Sequence, residues 1–441
     1  MSETGTGARS STIRVTKIAM ADSEGAGSIE APSRAECEAL DAADRLAAWR
    51  QRFALPDGVI YLDGNSLGPL PKATAALVQD VVRRQWGEDL ITSWNRHGWV
   101  DLPQRLGAKL ARLLGARPHE VVVADSTSVN LFKLIAAALG LRPGRRVVLS
   151  ERGNFPTDLY VAQGLRDLLG ERIELRLVDA AALEAALDRD TALLMLTHVD
   201  YRTGRMHDMA RLSAAAHAAG ALALWDLAHS AGAVPVDLAA ADADLAVGCG
   251  YKYLNGGPGA PAFLFVAERW LEQVRQPVAG WFGHARPFAF EGAYRPASGI
   301  ARFLAGTPPI LSMKALEAGI DLFLEVDQQA LRAKSMALTD AFVRLVDRRC
   351  AEWGFTVASP RAAEARGSQV SLRHAEGYAI MQALIGRGVI GDFRAPDLLR
   401  FGFAPLFVRF VDVWDAVETL RAVMAGRLWD QPTFKERAAV T

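Results

Sequence analysis

The sequence contains few cysteines and has no excess of charge of either sign. Its three cysteines, Cys37, Cys249 and Cys350, lie far apart in 441 residues. They form no metal-binding spacing, so we expect neither a disulfide scaffold nor a metal site, and they favour a reducing, cytoplasmic location. Lysine plus arginine equals aspartate plus glutamate, at 50 each. This balance gives no electrostatic reason to expect nucleic acid or an anionic membrane as a partner.

Long apolar runs are also missing. None reaches the roughly 18 residues of a membrane-spanning helix, because charged residues interrupt the alanine-rich stretch 210–250. The N-terminus has no basic start leading into an apolar core, so we expect no secretory signal. Residues 1–33 are rich in serine, glycine, threonine and alanine, and we expect a disordered N-terminal extension there.

What the sequence does contain is a regular alternation of short apolar runs with longer helical stretches. The strand-like runs are Val121–Ala124, Arg146–Leu149, Glu174–Val178, Ala192–Leu196, Ala221–Trp225, Ala243–Val247 and Ala262–Val266. This alternation predicts an α/β fold with a mainly parallel central sheet and helices on both faces. Ligands of such sheets bind at the carboxyl ends of the strands.

Further elements are expected on both sides of this region. Before it, the pattern predicts one amphipathic helix over residues 33–53, a strand over 59–63 and a helix from Pro69 or Pro71 to about Arg84. After it, one long helical stretch is expected over 310–348. A smaller α+β domain should follow, with strands over 354–357, 369–372 and 398–402 and a helix over 376–385.

One lysine is placed unusually, at the end of an apolar run. Lys252 is flanked by Tyr251 and Tyr253 and precedes a Gly-Gly-Pro-Gly turn. An earlier strand-like run ends before Asp226, and His229 follows three residues later. A pyridoxal phosphate enzyme needs a lysine amine for the Schiff base and a carboxylate for the pyridine nitrogen, so that the ring acts as an electron sink. Taken singly, Lys252 could be a surface lysine and Asp226 a helix cap.

Three further segments carry residues suited to a cofactor or a substrate. Ser126 and Thr127 open a helical stretch, where hydroxyls and backbone N–H groups can bind phosphate, although a plain N-cap is the alternative. Phe155 follows a strand and could stack on a cofactor ring or serve only in packing. Arg400 lies within an apolar strand, where a substrate carboxylate or a structural ion pair would satisfy its charge.

Six motifs taken together resemble the kynureninase family, pyridoxal phosphate enzymes of the aspartate aminotransferase fold type (fold type I). The motifs are Tyr61–Gly68, Asp125–Asn130, Phe155–Asp158, Asp226–His229, Tyr251–Gly259 and Gly280–His284. The resemblance covers roughly residues 34–430 and includes the order and spacing of the motifs. It implies hydrolysis of L-kynurenine to anthranilate and L-alanine by Cβ–Cγ cleavage, as part of tryptophan degradation.

The resemblance also implies roles for individual residues. Lys252 carries the Schiff base and Asp226 pairs with the pyridine nitrogen, while Phe155 stacks on the ring. The other cofactor-binding residues implied are Asp158, Thr197 and His229 around the ring, Ser126, Thr127 and Tyr251 at the phosphate, and Trp281 and Thr307 from the neighbouring subunit of a homodimer. The substrate-binding residues implied are Arg400 as carboxylate clamp, Asn65 and Ser66 in a loop near the substrate, and Trp99.

Two finer expectations concern the reaction. Tyr251 is the candidate that protonates the Cβ carbanion left after cleavage. An ordinary phenol has a pKa near 10, so the nearby phosphate should assist the proton transfer. The segments Trp94–Trp99 and Gly306–Thr307 resemble the bacterial enzymes that prefer kynurenine to 3-hydroxykynurenine.

Two other functions use the same fold. A cysteine desulfurase or selenocysteine lyase needs a mobile thiol near the substrate, whereas Cys249 falls at a probable strand end. A non-catalytic protein of this fold would be expected to lose Lys252, Tyr251 or Arg400, and all three are present.

The expected domain organisation follows from the same elements. Residues 34–68 should form an N-terminal segment that packs with the small domain. Residues 69–309 should form the large cofactor-binding domain, and residues 310–441 the small C-terminal α+β domain.

Overall fold

The computed structural model describes residues 30–438. Residues 1–29 of the expected N-terminal extension lie outside this range, and Ser33 caps the first helix. The strands are β1 (Ile60–Tyr61), β2 (Val121–Val123), β3 (Val147–Glu151), β4 (Glu174–Val178), β5 (Thr191–Thr197), β6 (Leu222–Asp226), β7 (Leu245–Cys249), β8 (Ala262–Val266), β9 (Thr356–Val357), β10 (Gln369–Arg373), β11 (Val389–Ile390), β12 (Asp392–Arg394) and β13 (Leu398–Gly402).

The helices lie between and after these strands. They are α1 (Arg34–Ala42), α2 (Lys72–Asp80), α3 (Ser93–Arg96), α4 (Leu102–Leu113), α5 (Thr127–Leu141), α6 (Pro156–Leu169), α7 (Met209–Ala218), α8 (Ile310–Leu324), α9 (Gln328–Arg349), α10 (Gly377–Ile385), α11 (Phe410–Ala425) and α12 (Pro432–Lys435). None within the described part of the chain is long and apolar enough to cross a membrane.

The central sheet has seven strands in the order β2-β8-β7-β6-β5-β3-β4. Neighbouring strands are parallel except for β8, which is antiparallel to both β2 and β7. The mainly parallel sheet predicted from the sequence is therefore confirmed. All seven expected runs form strands, and β6 and β7 continue to Asp226 and Cys249, beyond the ends expected from the apolar pattern.

Helices cover both faces of this sheet because the strands are apolar on both sides. Val148 and Leu193 belong to one buried cluster with side chains of α5 and α6. Their chain neighbours Leu149 and Leu194 point the other way and join a second cluster with side chains of α4, α7 and α8. This alternation follows from the two-residue period of a strand.

A second, antiparallel sheet of order β12-β13-β10-β9 lies in the C-terminal part of the chain. The early strand β1 pairs in parallel with β11, and Asp63 forms a further bridge with Gly402 at the end of β13. The segment that contains Asn65 and Ser66 is thereby held against the C-terminal sheet.

The bounds predicted for three helices were wrong. The helix expected over 33–53 ends at Ala42, because the Asp44 side chain accepts the Leu46 N–H in a turn before the 3₁₀-helix Ala47–Arg52. The helix expected over 310–348 is two helices, because the Asp327 side chain caps α9.

The helix expected to start at Pro69 or Pro71 also differs from the structure. Pro71 is the N-cap of α2, so the helix begins at Lys72. It ends as an α-helix at Asp80 and continues as the π-helical turn Val81–Trp86.

Candidate active site

The carboxyl ends of β2, β5, β6 and β7 lie at one edge of the central sheet. Thr197 at the end of β5 pairs with Asp226 at the end of β6, and Asp226 lies opposite Val247 of β7. Lys252 follows β7, and Ser126 follows β2, which runs in the same direction as β7 because both are antiparallel to β8. Parallel topology thus collects side chains that are far apart in the sequence.

Lys252 is buried at this edge, with 9% of its surface exposed. Its Nζ lies 3.0 Å from Nε2 of His229 and faces two aromatic rings, at 5.6 Å from the Phe155 centroid and 5.8 Å from the Tyr251 centroid. The backbone approaches closely here: a Cβ at Gly68 would lie 2.3 Å from the Lys252 carbonyl oxygen. Only glycine allows this contact.

The His229 ring accepts a hydrogen bond from the Lys252 amine. Burial lowers the pKa of His229 well below its ordinary value, and the charges of Lys252, Arg400 and Arg394 lower it further. The ring is therefore neutral, and Nε2 can accept the Lys252 N–H only if Nδ1 carries the ring proton. Nδ1 is buried and has no partner among the described residues, so one donor of the site is unused.

Two carboxylates lie beside Lys252 within the sheet edge. Asp226 is 2% exposed and accepts the Ala228 N–H at 2.8 Å; burial raises its pKa, although the Lys252 charge lowers it. Asp158 is fully buried, and burial together with the Asp226 carboxylate raises its pKa well above the ordinary value. Two such carboxylates need more positive charge than one lysine supplies.

Asn154 connects this pair to Thr197. Its side-chain oxygen accepts from the backbone N–H of Thr197 at 3.0 Å and from the Thr197 hydroxyl, and its Nδ2 lies 3.5 Å from Oδ2 of Asp158. Oδ1 of Asp158 is buried and has no hydrogen-bond partner among the residues that the structure describes. Asn154 was not among the predicted cofactor-binding residues. Its position after β3, directly before the motif that begins at Phe155, could have indicated it.

Ser126 and Thr127 stand at the start of α5. Ser126 is exposed and is the N-cap of this 15-residue helix, accepting from the Val129 N–H at 3.4 Å; Thr127 is its first residue. The plain N-cap considered from the sequence is thus present. Because Ser126 is exposed and the helix N-terminus is electropositive, the same turn can also receive a phosphate.

Arg400 lies on β13 directly opposite Asp392 of β12, and both are buried. Its Nε donates to Asp392 at 2.6 Å, and its Nη2 donates to Asp392 and, at 3.1 Å, to the Ser66 hydroxyl. Nη1 donates to the Tyr201 carbonyl at 2.6 Å. The structural ion pair considered from the sequence is present, and within residues 30–438 Nη1 has one acceptor for its two hydrogens.

Tyr201 links Arg400 to the lysine. Its ring meets Phe155 edge-on, with 5.1 Å between centroids, and Phe155 faces Lys252. Neither Tyr201 nor Asp392 was predicted as a site residue. The position of Tyr201 just after β5 could have indicated it, whereas Asp392 becomes visible only through its pairing with β13.

Asn65 lies beside the arginine cluster. It is fully buried, and its Nδ2 donates to Gln369 at 3.3 Å. Gln369 in turn donates to the Tyr201 carbonyl at 3.1 Å. The structure thus brings Asn65 and Ser66 next to Arg400.

Three predicted residues are not brought to Lys252 within the chain. Trp281 packs against Phe282 with 4.9 Å between ring centroids, and Thr307 is exposed. Trp99 is buried and donates to Gln85 at 2.8 Å. Among the contacts of residues 30–438, none joins these three residues to Lys252.

The residues at the sheet edge fit pyridoxal phosphate. The unpartnered Asp158 oxygen and His229 Nδ1 are buried polar atoms that a ligand would satisfy. A protonated pyridine would supply the positive charge that the carboxylates lack, and the start of α5 suits a phosphate. Within residues 30–438 no group of three His, Cys, Asp or Glu side chains could hold a metal ion.

The chain is similar to proteins of known function in sequence. Two family models match it, the "Kynureninase C-terminal domain" over residues 331–420 and the "DegT/DnrJ/EryC1/StrS aminotransferase family" over residues 89–240. Kynureninase of Pseudomonas fluorescens is 56% identical over 93% of this chain and 100% of its own length. Kynureninase of Burkholderia mallei is 58% identical over the same shares.

Solved structures with the same fold are more distant in sequence. A cysteine desulfurase from Thermococcus onnurineus superposes with a TM-score of 0.71 and 20% identity, covering 86% of this chain and 97% of that one. A cystine C–S lyase superposes with a TM-score of 0.69 and 17% identity, covering 85% and 98%. At these identities the likeness shows the fold alone, which confirms the fold class predicted from the sequence.

Proposed function

The chain belongs to the kynureninase family, and we propose that it hydrolyses L-kynurenine to anthranilate and L-alanine, with pyridoxal phosphate as its cofactor. The observation that carries this proposal is the buried Lys252 amine, 3.0 Å from a neutral His229 and beside two carboxylates with raised pKa values. Relatives named kynureninase over nearly the whole chain support the same reaction.

We propose that the side chains at the sheet edge hold the cofactor. Lys252 binds it covalently, Asp226 pairs with its pyridine nitrogen, and Phe155 stacks on its ring. Around the ring lie Asp158, Thr197 and His229, and at the phosphate Ser126, Thr127 and Tyr251. When bound, pyridoxal phosphate supplies an electron sink for charge that develops at the substrate's α-carbon.

Two side chains are suited to move protons. The Lys252 amine can take a proton from the substrate's α-carbon, because His229 beside it is neutral and accepts its N–H. Burial raises the pKa of Tyr251, so its phenol is protonated at neutral pH and can donate to Cβ after the Cβ–Cγ bond breaks.

We propose that Arg400 binds the substrate carboxylate through its remaining Nη1 hydrogen. Asp392 and the Tyr201 carbonyl hold the guanidinium in place. Ser66 donates to Asp392 at 2.7 Å and accepts from Arg400, so it orients the same group. Asn65 shares this loop.

We also propose that the active enzyme is a homodimer. Trp281 and Thr307 do not reach their own Lys252, and the rings near Trp281 are exposed, Phe288 by 56% and Phe290 by 77%. In the proposal these segments complete the partner's site at its phosphate or substrate end. Trp99 packs near them through Trp94 and Phe282 and would contribute to the same region.

Three finer features complete the proposal. The segments at Trp99 and Thr307 favour kynurenine over 3-hydroxykynurenine. The division into residues 34–68, 69–309 and 310–441 is supported by the two separate sheets and by the pairing of β1 with β11. A cytoplasmic location is supported by three free cysteines, all buried.

The cysteine desulfurase alternative finds less support. Cys249 is the thiol closest in sequence to Lys252, but it is 4% exposed at the end of β7. Burial raises its pKa, which disfavours the thiolate that attacks sulfur. A thiol in a central strand also lacks the mobility that persulfide transfer requires.

The experiment that tests the proposal is a spectrum of the purified protein with pyridoxal phosphate, followed by addition of L-kynurenine. We expect the absorbance of a lysine Schiff base, loss of kynurenine absorbance and anthranilate fluorescence; Lys252→Ala should lose the Schiff-base absorbance and the turnover. A yellow protein that leaves L-kynurenine intact would contradict the reaction, and a protein that stays colourless would contradict the role of Lys252. Comparing kcat/KM for kynurenine and 3-hydroxykynurenine tests the preference.

A further inference from the structure

A second aspartate, Asp63, is held beside the strand that carries Arg400 and interacts with the charges of Arg400 and Arg394. The backbone of Asp63 forms a bridge with Gly402, two residues beyond Arg400 on β13. Asp392 lies between two guanidinium groups, since Arg394 pairs with it at 2.8 Å and Arg400 binds it bidentately. Two aspartates and two arginines thus share one region beside the proposed substrate site.

Asp63 is the member of this cluster with an unsatisfied atom. Its Oδ1 is buried without a hydrogen-bond partner among the described residues. Asp392, by contrast, accepts from Arg400, Arg394 and Ser66. With both aspartates ionised, the four charges sum to zero; with Asp63 protonated, the cluster carries one positive charge.

We propose that Asp63 takes up a proton when the carboxylate of the amino-acid substrate binds Arg400. The proton comes from solvent and is held on the Asp63 carboxyl, so that the cluster and its anionic ligand together remain neutral. This inference rests on the proposed function, because it requires an amino-acid carboxylate at Arg400. It assigns to Asp63 a positioning role, since Asp63 acts on the substrate through the charge of the cluster.

The electrostatic surroundings support this coupling. Burial and the Asp392 carboxylate raise the pKa of Asp63 to about 7, although a hydrogen bond with Ser66 and the charges of Arg400 and Arg394 lower it. A second anion beside the cluster would raise it further. The charge of Asp63 also acts on two other titratable groups, Tyr61 and Tyr253, whose own pKa values are raised by burial. Both therefore stay neutral over this pH range.

The sign of the effect follows from linkage. The bound state holds the Asp63 proton more tightly than the free state, so affinity is full below about pH 7 and falls as pH rises above the pKa of free Asp63. One coupled proton changes Kd by at most about tenfold per pH unit. Asparagine, which cannot ionise, removes this part of the pH dependence.

The test is calorimetric titration of the holoenzyme with L-alanine at pH 8, in buffers of different ionisation enthalpy, to count protons. We expect the unaltered enzyme to take up about one proton more than Asp63→Asn, and its Kd to rise more steeply above pH 7. The matched control is Asp57→Asn, an exposed aspartate of the preceding loop, which should behave like the unaltered enzyme.

Equal proton counts in the unaltered enzyme and Asp63→Asn would overturn the inference. If Asp63→Asn fails to fold, infrared difference spectra of the unaltered enzyme decide instead. A new protonated-carboxyl band on L-alanine binding supports the inference, and no such band overturns it. Anthranilate release by the same preparation separates the two proposals: release with equal proton counts overturns only the role of Asp63, whereas its absence overturns the proposed function.

Discussion

Burial raises the pKa of Tyr251 above that of an ordinary phenol, so the phenol stays protonated at neutral pH and does not act as a base. We predict that Tyr251→Phe keeps the absorbance of bound cofactor but slows turnover at least about tenfold, because protonation of Cβ loses its donor. Stopped-flow and steady-state assays of anthranilate release measure this.

Tyr160→Phe is the control for this variant, since Tyr160 is 64% exposed on α6. It should turn over like the unaltered enzyme. Unchanged turnover in Tyr251→Phe would assign the proton to another donor.

The buried negative charge of Asp226, which the proposed function requires, lowers the stability of the folded cofactor-free protein. Its folded pKa is raised by burial, so at pH 7 its ionisation favours the unfolded chain. We predict that Asp226→Asn leaves the cofactor-free protein at least as stable in thermal unfolding, yet lowers kcat at least about a hundredfold, because the cofactor nitrogen loses its counter-charge.

The control is Asp167→Asn, whose carboxylate is exposed on α6. It should change neither property. A loss of both stability and activity in Asp226→Asn would indicate a structural role instead.

At the scale of elements, the N-terminus of α5 depends on an ion pair between a buried lysine and a half-buried aspartate. Lys133 is fully buried and donates to the Asp125 carboxylate and, at 2.6 Å, to the Phe303 carbonyl. Asp125 has φ of 47°, in the left-handed region that non-glycine residues rarely occupy. Lys133 therefore holds the turn that presents Ser126 and Thr127.

We predict that Lys133→Met lowers the stability of the apoenzyme by about 1–3 kcal/mol and weakens cofactor binding, because Asp125 and the Phe303 carbonyl lose their donor. Urea unfolding and cofactor titration measure the two effects. In Lys133→Met/Asp125→Asn the loss should be smaller than the sum of the single losses. Lys72→Met, an exposed change on α2, should alter neither, and strict additivity would contradict the pair.

At the scale of the whole molecule, each active site of the proposed homodimer contains Lys252 of one chain and Trp281 of the other. We predict that Lys252→Ala and Trp281→Ala, each nearly inactive alone, regain activity when unfolded and refolded together. If the two variants pair at random, about a quarter of all active sites combine an unaltered Lys252 with an unaltered Trp281. Anthranilate release from the mixture, with the oligomeric state measured by sedimentation, checks this.

Lys252→Ala mixed with Asp226→Asn is the control. Both residues lie on the same chain's sheet edge, so every mixed site keeps one defect and no activity should return. Failure of the first mixture to recover, in a protein that sediments as a dimer, would contradict a shared site.

The amino-acid pattern by itself determined the elements and the lysine. Continuous apolar runs specified the seven strands, since burial on both faces requires apolar residues throughout, and glycines around Lys252 indicated a close backbone approach. The order of motifs was enough to predict the family and the cofactor. Helix breaks at Asp44 and Asp327 were missed, because side-chain caps compete locally with a periodic pattern that continues past them.

Only the tertiary structure decided which polar groups meet. Asp392 lies opposite Arg400 because β12 and β13 pair in one register. Asp63 lies near both because its backbone bridges Gly402, which is far from it in the sequence. The shifted pKa values of Asp63, Asp226 and His229 arise from burial and neighbouring charge, neither of which is local in sequence. Electrostatic interaction depends on distance and dielectric, and these exist only once the chain has folded.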